Sequence, residues 1–163
     1  MKILIISDIH DNMENLKKCL QWGKNQSIEN VICCGDITNS ETLKYLSENF
    51  FGKINLVKGN MEIYEETEIK LYKNINYLGL FGVAEFTDKK IGICHKPELI
   101  AKIKKLDYCD FIFYGHTHQP DIKECGKTTI VNPGTLGGVF FKASFGVLDT
   151  AINKLELKIL ELI

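Results

Sequence analysis

The order of apolar segments in the first part of the chain limits the folds open to it. Three short apolar runs, 2-KILII-6, 30-NVICC-34 and 53-KINLV-57, have the length of buried strands. Between them, apolar side chains recur at the spacing of one helix face, at Met13, Leu16, Cys19 and Leu20 and then at Leu43, Leu46 and Phe50. A β-α-β-α-β order of this kind predicts a parallel sheet with right-handed crossovers.

The second half of the sequence carries more strand signals and one clear helix. Strands are predicted at 76-NYLGL-80, 83-VAEF-86, 90-KIGIC-94, 110-DFIFY-114, 128-TTIVN-132, 143-ASFGVLD-149 and 154-KLELKI-159. A helix is predicted over 97-PELIAKIKKL-106, with an inner stripe of Leu99, Ile100, Ile103 and Leu106. Because no linker or repeat interrupts the chain, we expect one α/β domain over residues 1–163, with sheets inside and helices outside.

Charge and hydropathy narrow the choice of partners. The chain has 20 basic and 21 acidic residues and a formal net charge of −1. This balance provides no global field to attract nucleic acid or an anionic membrane, so an anionic substrate would have to be attracted locally. The N-terminal segment lacks the ~7 to 15 residue apolar core of a signal peptide, and no run has transmembrane length, which predicts a cytoplasmic protein. The six cysteines form no CxxC pair, and we interpret them as structural thiols.

Side chains that can bind metal directly follow five of the predicted strands. They lie in 7-SDIHD-11, in 35-GDITN-39, in 59-GN-60 with Glu62, at His95, and in 115-GHTH-118. All four histidines of the chain are in this set. In open α/β sheets, ligands bind in the crevice beyond the carboxyl ends of the strands. We therefore expect these side chains to form one site.

The spacing within the motifs suggests how they would converge. In an extended segment residues i and i+2 point the same way, so Asp8 with His10, and His116 with His118, could each face an ion. Mixed imidazole and carboxylate donors favour Mn, Fe, Zn or Ni over Ca. Each motif alone also has a structural interpretation: Asp8 could cap a helix, Gly59-Asn60 could be an ordinary turn, and His95 could be half-buried. Their joint occurrence favours a metal site.

Taken in order, these motifs resemble the signature of the calcineurin-like metallophosphoesterases. The pattern runs from residue 8 to 118, and 132-NPGT-135 is similar to a short element of the small bacterial and archaeal phosphodiesterase branch. The resemblance implies a four-layer αββα sandwich of two mixed β-sheets flanked by helices. It also implies a binuclear centre of two divalent transition-metal ions, with Mn, Ni, Fe or Zn as candidates.

Position by position, the resemblance implies two ligand sets that share a bridging aspartate. One metal would be held by Asp8, His10, Asp36 and His118, and the other by Asp36, Asn60, His95 and His116. A hydroxide bridging the metals would attack phosphorus directly, without a covalent enzyme intermediate. Asn60, His95 and His116 are also the catalytic candidates, and Asp11, Glu62 or the backbone around Asn132 would orient the ligands.

The sequence departs from the family pattern at two positions. Met61 stands where related protein phosphatases have a histidine that protonates the leaving group, and no obvious general acid remains. Lys96 stands where members of the branch carry a glycine after the histidine, so it would either crowd the second metal or contact phosphate.

The function we expect is a metal-dependent phosphodiesterase or phosphatase that hydrolyses a small, nucleotide-like phosphate ester. One alternative is a non-catalytic scaffold subunit on the same fold, with 136-LGGVFF-141 as either a partner surface or a buried strand. A nuclease is the other alternative, although the Lys102, Lys104 and Lys105 group lacks the interleaved aromatics that stack on bases. We expect no membrane partner and do not favour nucleic acid, and the sequence leaves homo-oligomerisation open.

Overall fold

A computed structural model describes residues 1–163 as two β-sheets with helices on their outer faces. The strands are β1 (Lys2–Ile6), β2 (Asn30–Cys33), β3 (Lys53–Leu56), β4 (Ile75–Tyr77), β5 (Phe81–Phe86), β6 (Lys89–Cys94), β7 (Phe111–Phe113), β8 (Asp121–Cys125), β9 (Thr128–Asn132), β10 (Ser144–Asp149) and β11 (Lys154–Ile159). The α-helices are α1 (Met13–Asn25), α2 (Ser40–Asn49), α3 (Glu66–Ile69) and α4 (Ile100–Leu106), and short 3₁₀ segments lie at Pro97–Leu99 and Leu160–Leu162. None of these helices combines the length and the apolarity that a membrane crossing would require.

Both sheets are mixed. The first has the order β11-β10-β1-β2-β3-β4, in which β1 to β4 are parallel and β10 and β11 are antiparallel to their neighbours. The second has the order β5-β6-β7-β9-β8, in which β6, β7 and β9 are parallel. The β-α-β-α-β order of the first part of the sequence therefore forms the parallel half of the first sheet, as predicted.

Three apolar clusters separate four layers. Successive side chains of β1 point to opposite faces of the first sheet. Leu4 packs in the cluster that contains residues of α1 and α2, whereas Ile3 packs in the cluster between the two sheets. The third cluster joins Ile103 of α4 to Ile112 of the second sheet. The order of layers is thus α1 and α2, first sheet, second sheet, α4, which is the αββα sandwich that the resemblance implies.

The structure corrects several local expectations. Strand β8 was not predicted, because this edge strand is largely exposed and its sequence, DIKEC, has no apolar face. The helix expected over residues 97–106 begins with a 3₁₀ turn, and Leu106 is 64% exposed rather than part of the inner stripe, because the α-helix ends there. The N-cap of α2 is Asn39, whose side chain accepts a hydrogen bond from the Thr42 N–H.

Five of the six cysteines lie where structural thiols are expected. Five are buried and one, Cys125, is exposed, and all six are free. Burial raises the pKa of the Cys94 thiol to about 12. A buried thiol with a raised pKa is largely protonated at neutral pH and therefore a poor nucleophile.

The cluster between the sheets provides a test of the layer assignment. Phe113 is fully buried there, and its ring stacks on Phe111 with centroids 6.0 Å apart. We expect Phe113→Ala to lower the free energy of unfolding by about 3–5 kcal/mol, because it leaves a cavity between two sheets that cannot close over it. Urea unfolding followed by circular dichroism measures the change.

The matched control is Phe51→Ala, because the Phe51 side chain is 88% exposed. We expect this control to change the unfolding free energy by less than about 0.5 kcal/mol. Equal losses in the two variants would contradict the assignment of Phe113 to the core.

Candidate metal centre

The predicted site residues come together at one edge of the sandwich. The strands β1, β2 and β3 are parallel, as are β6 and β7, so the carboxyl ends of each group lie at a common edge. The side chains that follow these ends are Asp8 and His10 after β1, Asp36 after β2, Asn60 after β3, His95 after β6, and His116 and His118 after β7. Contacts among these side chains show that the two edges meet.

One group of metal-capable side chains consists of Asp8, His10 and His118. The Nε2 atom of His118 lies 3.2 Å from Oδ1 of Asp8, and Nε2 of His10 lies 3.8 Å from the same oxygen. The two Nε2 atoms are 3.1 Å apart. Residues separated by more than a hundred positions in the sequence thus point their donor atoms at one small volume.

A second group consists of Asp8, Asp36 and His95, so the two groups share Asp8. Nε2 of His95 lies 3.3 Å from Oδ2 of Asp36 and 2.9 Å from Oδ1 of Asn60. The same Oδ2 of Asp36 lies 3.7 Å from Nε2 of His10. Asp36 therefore stands between a histidine of the first group and the histidine of the second.

His116 borders the second group without belonging to either group. Its ring centroid lies 5.2 Å from that of His95, and its side chain is exposed. Its backbone N–H donates to both carboxylate oxygens of Asp8, at 3.2 and 3.0 Å. The expectation that the His116 imidazole is a ligand and a catalytic group stays a prediction.

The hydrogen-bond partners of two histidines determine their tautomers. Nδ1 of His95 lies 2.8 Å from the Cys34 carbonyl oxygen, and Nδ1 of His118 lies 3.1 Å from the Val139 carbonyl oxygen. A carbonyl oxygen can only accept, so we assign the ring proton to Nδ1 in both residues. When these imidazoles are neutral, each Nε2 has a lone pair that a metal ion can take, which is the arrangement of a metal-binding histidine.

The electrostatic setting also favours a cation. A hydrogen bond that His10 donates to the Asp8 carboxylate raises the pKa of His10; burial opposes this rise, and the charge of Asp36 adds to it. Burial alone would raise the pKa of Asp36, but its hydrogen bond and charge interaction with His95 hold that pKa below its usual value. The Asp36 carboxylate therefore keeps its negative charge here, and that charge favours a bound cation.

The backbone at the site differs from the expected extended geometry. Asp8, His10, Asp36, His116 and His118 all have positive φ, between 46° and 71°. The explanation that residues i and i+2 of an extended strand point the same way is therefore wrong for these pairs, because left-handed residues turn the chain at the end of each strand. Such conformations are uncommon outside glycine and concentrate at functional sites.

Two motif glycines allow the loops to approach closely. A Cβ atom on Gly59 would overlap the backbone N and Oδ1 of Asp36. One on Gly115 would overlap the Ser7 hydroxyl and lie 2.6 Å from Oδ2 of Asp8. In both motifs, the absence of a side chain is what brings one ligand loop against the next.

Glu62 joins two of the loops. Its carboxylate accepts hydrogen bonds from the backbone N–H groups of Ile37 at 3.3 Å, Thr38 at 2.8 Å and Gly59 at 3.2 Å. Because these groups flank Asp36 and Asn60, Glu62 fixes the distance between the loops that carry them. This geometry agrees with the orienting role expected for Glu62.

Asp11 acts on the loop that follows β2. Its Oδ1 accepts hydrogen bonds from the Asn39 N–H at 3.1 Å and the Thr42 hydroxyl at 2.7 Å. The contact ties the segment after β1 to the start of α2, immediately behind Asp36.

The side chain of Asn132, rather than its backbone, supports the histidine loop. Its Nδ2 donates to the Gly115 carbonyl at 3.0 Å and to the Thr117 hydroxyl at 2.9 Å, and its Oδ1 accepts from the Gly134 N–H. In the same segment, the Thr135 hydroxyl donates to the Asp8 carbonyl at 2.9 Å. Sequence reasoning missed these side-chain contacts, and the NPGT motif was the signal that pointed to the segment.

The two departures from the family pattern also have defined places. The Met61 N–H donates to Oδ1 of Asp36 at 2.8 Å, while the Met61 side chain is 50% exposed. Lys96 is half-buried, and its carbonyl accepts from the Leu99 N–H at the start of the 3₁₀ turn. The contact of Lys96 with phosphate, or its crowding of a metal, stays a prediction.

Comparison with known proteins agrees with this geometry. The family model of the calcineurin-like phosphoesterase superfamily domain matches residues 1–153. The chain belongs to this superfamily. Its members are metallophosphoesterases that use divalent metal ions. The chain is 30% identical to phosphodiesterase MJ0936 of Methanocaldococcus jannaschii, over 99% of this chain and 100% of that protein.

Solved structures of the superfamily have the same fold. An archaeal phosphodiesterase matches with a TM-score of 0.87 and 27% identity, over 98% of this chain and 99% of that one. Vps29 of Entamoeba histolytica, solved with Zn²⁺, matches with a TM-score of 0.70 and 20% identity, over 98% and 99% of the two chains. At that identity, the second similarity shows the fold alone.

Gly59 provides a test of how the loops meet. We expect Gly59→Ala to lower the amount of Mn²⁺ retained after loading and desalting, because the added methyl group pushes the Asn60 loop away from Asp36. Elemental analysis of the desalted protein measures the metal. The control is Gly126→Ala, where a Cβ meets nothing within 4 Å, so that only backbone strain changes. Equal metal retention in wild type and Gly59→Ala would contradict the proposed approach of the loops.

Asn132 provides a test of the support behind the histidines. We expect Asn132→Asp to weaken Mn²⁺ binding about 10- to 100-fold, because it exchanges the amide donor for a carboxylate beside the Gly115 carbonyl. Isothermal titration calorimetry measures the affinity. The exposed Asn25→Asp at the end of α1 makes the same chemical change and should leave the affinity unaltered. An unchanged affinity in Asn132→Asp would show that the histidine loop needs no such support.

Proposed function

We propose that the protein is a binuclear metal-dependent phosphodiesterase that hydrolyses small, nucleotide-like phosphodiesters. The observation that carries the proposal is the convergence of carboxylate oxygens and histidine Nε2 atoms from four strand ends on one volume. The relative named a phosphodiesterase, which matches along the whole chain, supports the choice of a diester. No donor expected for the family is replaced, which favours an enzyme over a scaffold subunit.

The resemblance implies how the donors would be divided between two ions. Asp8, His10, Asp36 and His118 would hold one ion, and Asp36, Asn60, His95 and His116 would hold the other. Oδ2 of Asp36 is placed to serve both, since it lies 3.7 Å from Nε2 of His10 and 3.3 Å from Nε2 of His95. Mn, Ni, Fe or Zn ions bound here would lower the pKa of a coordinated water and neutralise charge on phosphate oxygens.

The charge of such a centre supplies the local attraction that the sequence as a whole lacks. Two divalent cations would outweigh the two carboxylates, Asp8 and Asp36, and leave a positive excess at the site. The balance of 20 basic and 21 acidic residues supports a small phosphate ester rather than a nucleic acid as the substrate. The residues would therefore select the substrate by its phosphate.

The protein groups around the centre favour substrates with a good leaving group. Asn60 and His116 are exposed and lie where a substrate can reach them. All four histidines lie at the centre, and the position of a family general acid is taken by Met61. Without a free acid, the chain offers little help in protonating the leaving oxygen, so esters of acidic alcohols and phenols should react best.

The test is hydrolysis of bis(4-nitrophenyl) phosphate by protein loaded with Mn²⁺ or Ni²⁺. We expect activity in the wild type, loss of it on chelation, and a fall in kcat/KM of more than about a hundredfold in both Asp36→Asn and His116→Ala, because each removes a proposed ligand. Release of 4-nitrophenolate measures the rate.

The matched control is Asp88→Asn, which makes the same change in the exposed turn between β5 and β6. It should keep wild-type kcat/KM. Equal turnover by wild type, Asp36→Asn and His116→Ala would remove these residues from the mechanism. The proposed function would be wrong if the metal-loaded wild type hydrolysed no member of a panel of phosphodiesters, phosphomonoesters and cyclic nucleotides.

A further inference from the structure

Phe140 lies at the rim of the metal centre, where core packing does not explain it. Its side chain is 90% exposed, and its ring centroid lies 5.7 Å from that of His118, at an interplanar angle of 34°. An aromatic ring that stays in water contributes little hydrophobic stabilisation. The stability of the fold therefore does not explain why a phenylalanine ring is exposed at this position.

The backbone of Phe140 is strained. Its φ is +66°, in the left-handed region, where a bulky side chain is an outlier. Such a conformation persists only where the surrounding structure determines it, and it concentrates at functional sites. The chain thus holds a large exposed ring in an unfavourable conformation at the edge of the centre.

The segment before Phe140 is attached to the centre by backbone hydrogen bonds. The N–H groups of Leu136 and Gly137 donate to the carbonyls of Ser7 and Asp8, at 2.8 and 2.9 Å. These bonds tie the segment to the loop that carries the aspartate shared by both donor groups. The position of the segment relative to the centre is therefore determined.

Two asparagines at the start of α1, the N-cap Asn12 and Asn15 in the helix, hold the other side of the same segment. Nδ2 of Asn12 donates to the Gly137 carbonyl and Nδ2 of Asn15 donates to the Leu136 carbonyl, both at 2.9 Å. Val139, the residue before Phe140, accepts the hydrogen bond from Nδ1 of His118. The same backbone segment thus orients a candidate metal ligand and presents the ring beside it.

We propose that Phe140 is a stacking platform for the aromatic or heterocyclic group of a phosphate ester bound at the metal centre. Phe140 would then make the site select nucleotide-like and aryl esters over alkyl esters. This inference rests on the proposed function, because the phosphate must be held at the centre for its substituent to reach the ring. Stacking suits this task because every nucleobase and aryl group has a π-face, so selection needs no specific hydrogen bonds.

The test compares phenylphosphonate with methylphosphonate as ligands of the Mn²⁺-loaded protein, by isothermal titration calorimetry. The two share one head group, and their P–C bonds resist hydrolysis. We expect the wild type to bind the phenyl compound about tenfold more tightly, and Phe140→Ala to remove most of that preference. Because the preference is a ratio, any effect of the substitution on His118 or on metal content cancels.

Three further variants separate stacking from other effects. Phe140→Tyr keeps the ring and should keep the preference, whereas Phe140→Leu keeps apolar bulk without the ring and should lose it. Phe51→Ala removes an equally exposed phenylalanine, 88% exposed and away from the centre, and should bind both compounds as the wild type does. A preference retained in Phe140→Leu would overturn stacking as its source.

The outcomes distinguish this inference from the proposed function. Equal affinity of the wild type for the two phosphonates, a full preference in Phe140→Ala, or no binding of either compound would overturn the platform. A Phe140-dependent preference in a protein that hydrolyses no phosphoester would support the platform and contradict the phosphodiesterase. An active diesterase with no such preference would support the phosphodiesterase and contradict the platform.

Discussion

The arrangement of the site depends on the buried carboxylate of Asp8. The residue lies at the end of β1, between β10 and β2 in the first sheet, and it belongs to both groups of metal-capable side chains. Its carboxylate accepts from the Ser7 hydroxyl at 2.6 Å and from the His116 N–H. Its carbonyl accepts from Gly137 and from the Thr135 hydroxyl. The loop that carries His116 and the segment 135–137 therefore both take their position from one residue.

The place where the donors meet is energetically unfavourable for the folded chain. Asp8 and Asp36 are 0% and 2% exposed, and burial of a charge is costly unless partners compensate for it. The left-handed backbone of both residues adds strain. The three apolar clusters on either side of the sheets provide the stability that maintains this geometry. The centre is thus an energetically unfavourable place that the rest of the fold sustains, and bound cations would relieve it.

The sequence predicted the features that follow from periodicity, and missed those that depend on distant contacts. The parallel strands and the placement of donors after them were predicted. A buried strand appears in the sequence as a short apolar run, and the polar motif that follows marks where the strand ends. The polar edge strand β8 and the left-handed turns leave no such pattern. The segment 136-LGGVFF-141 was interpreted as a buried strand or a partner surface, yet it is a loop whose Leu136 is buried and whose Phe140 is exposed beside His118. The proximity of Phe140 to His118 is evident only in the folded structure.

Solvent exposure divides the candidate ligands into two kinds. Asp8, Asp36, His95 and His118 are buried, and each has a hydrogen bond that fixes its orientation. Asn60 and His116 are exposed, so an incoming substrate meets them before it meets the buried donors. Since His116 also reaches Asp8 through its backbone N–H, displacement of its loop would disturb the most buried carboxylate. In the proposed centre, the buried donors would therefore provide the geometry, and Asn60 and His116 would adjust to a bound phosphate.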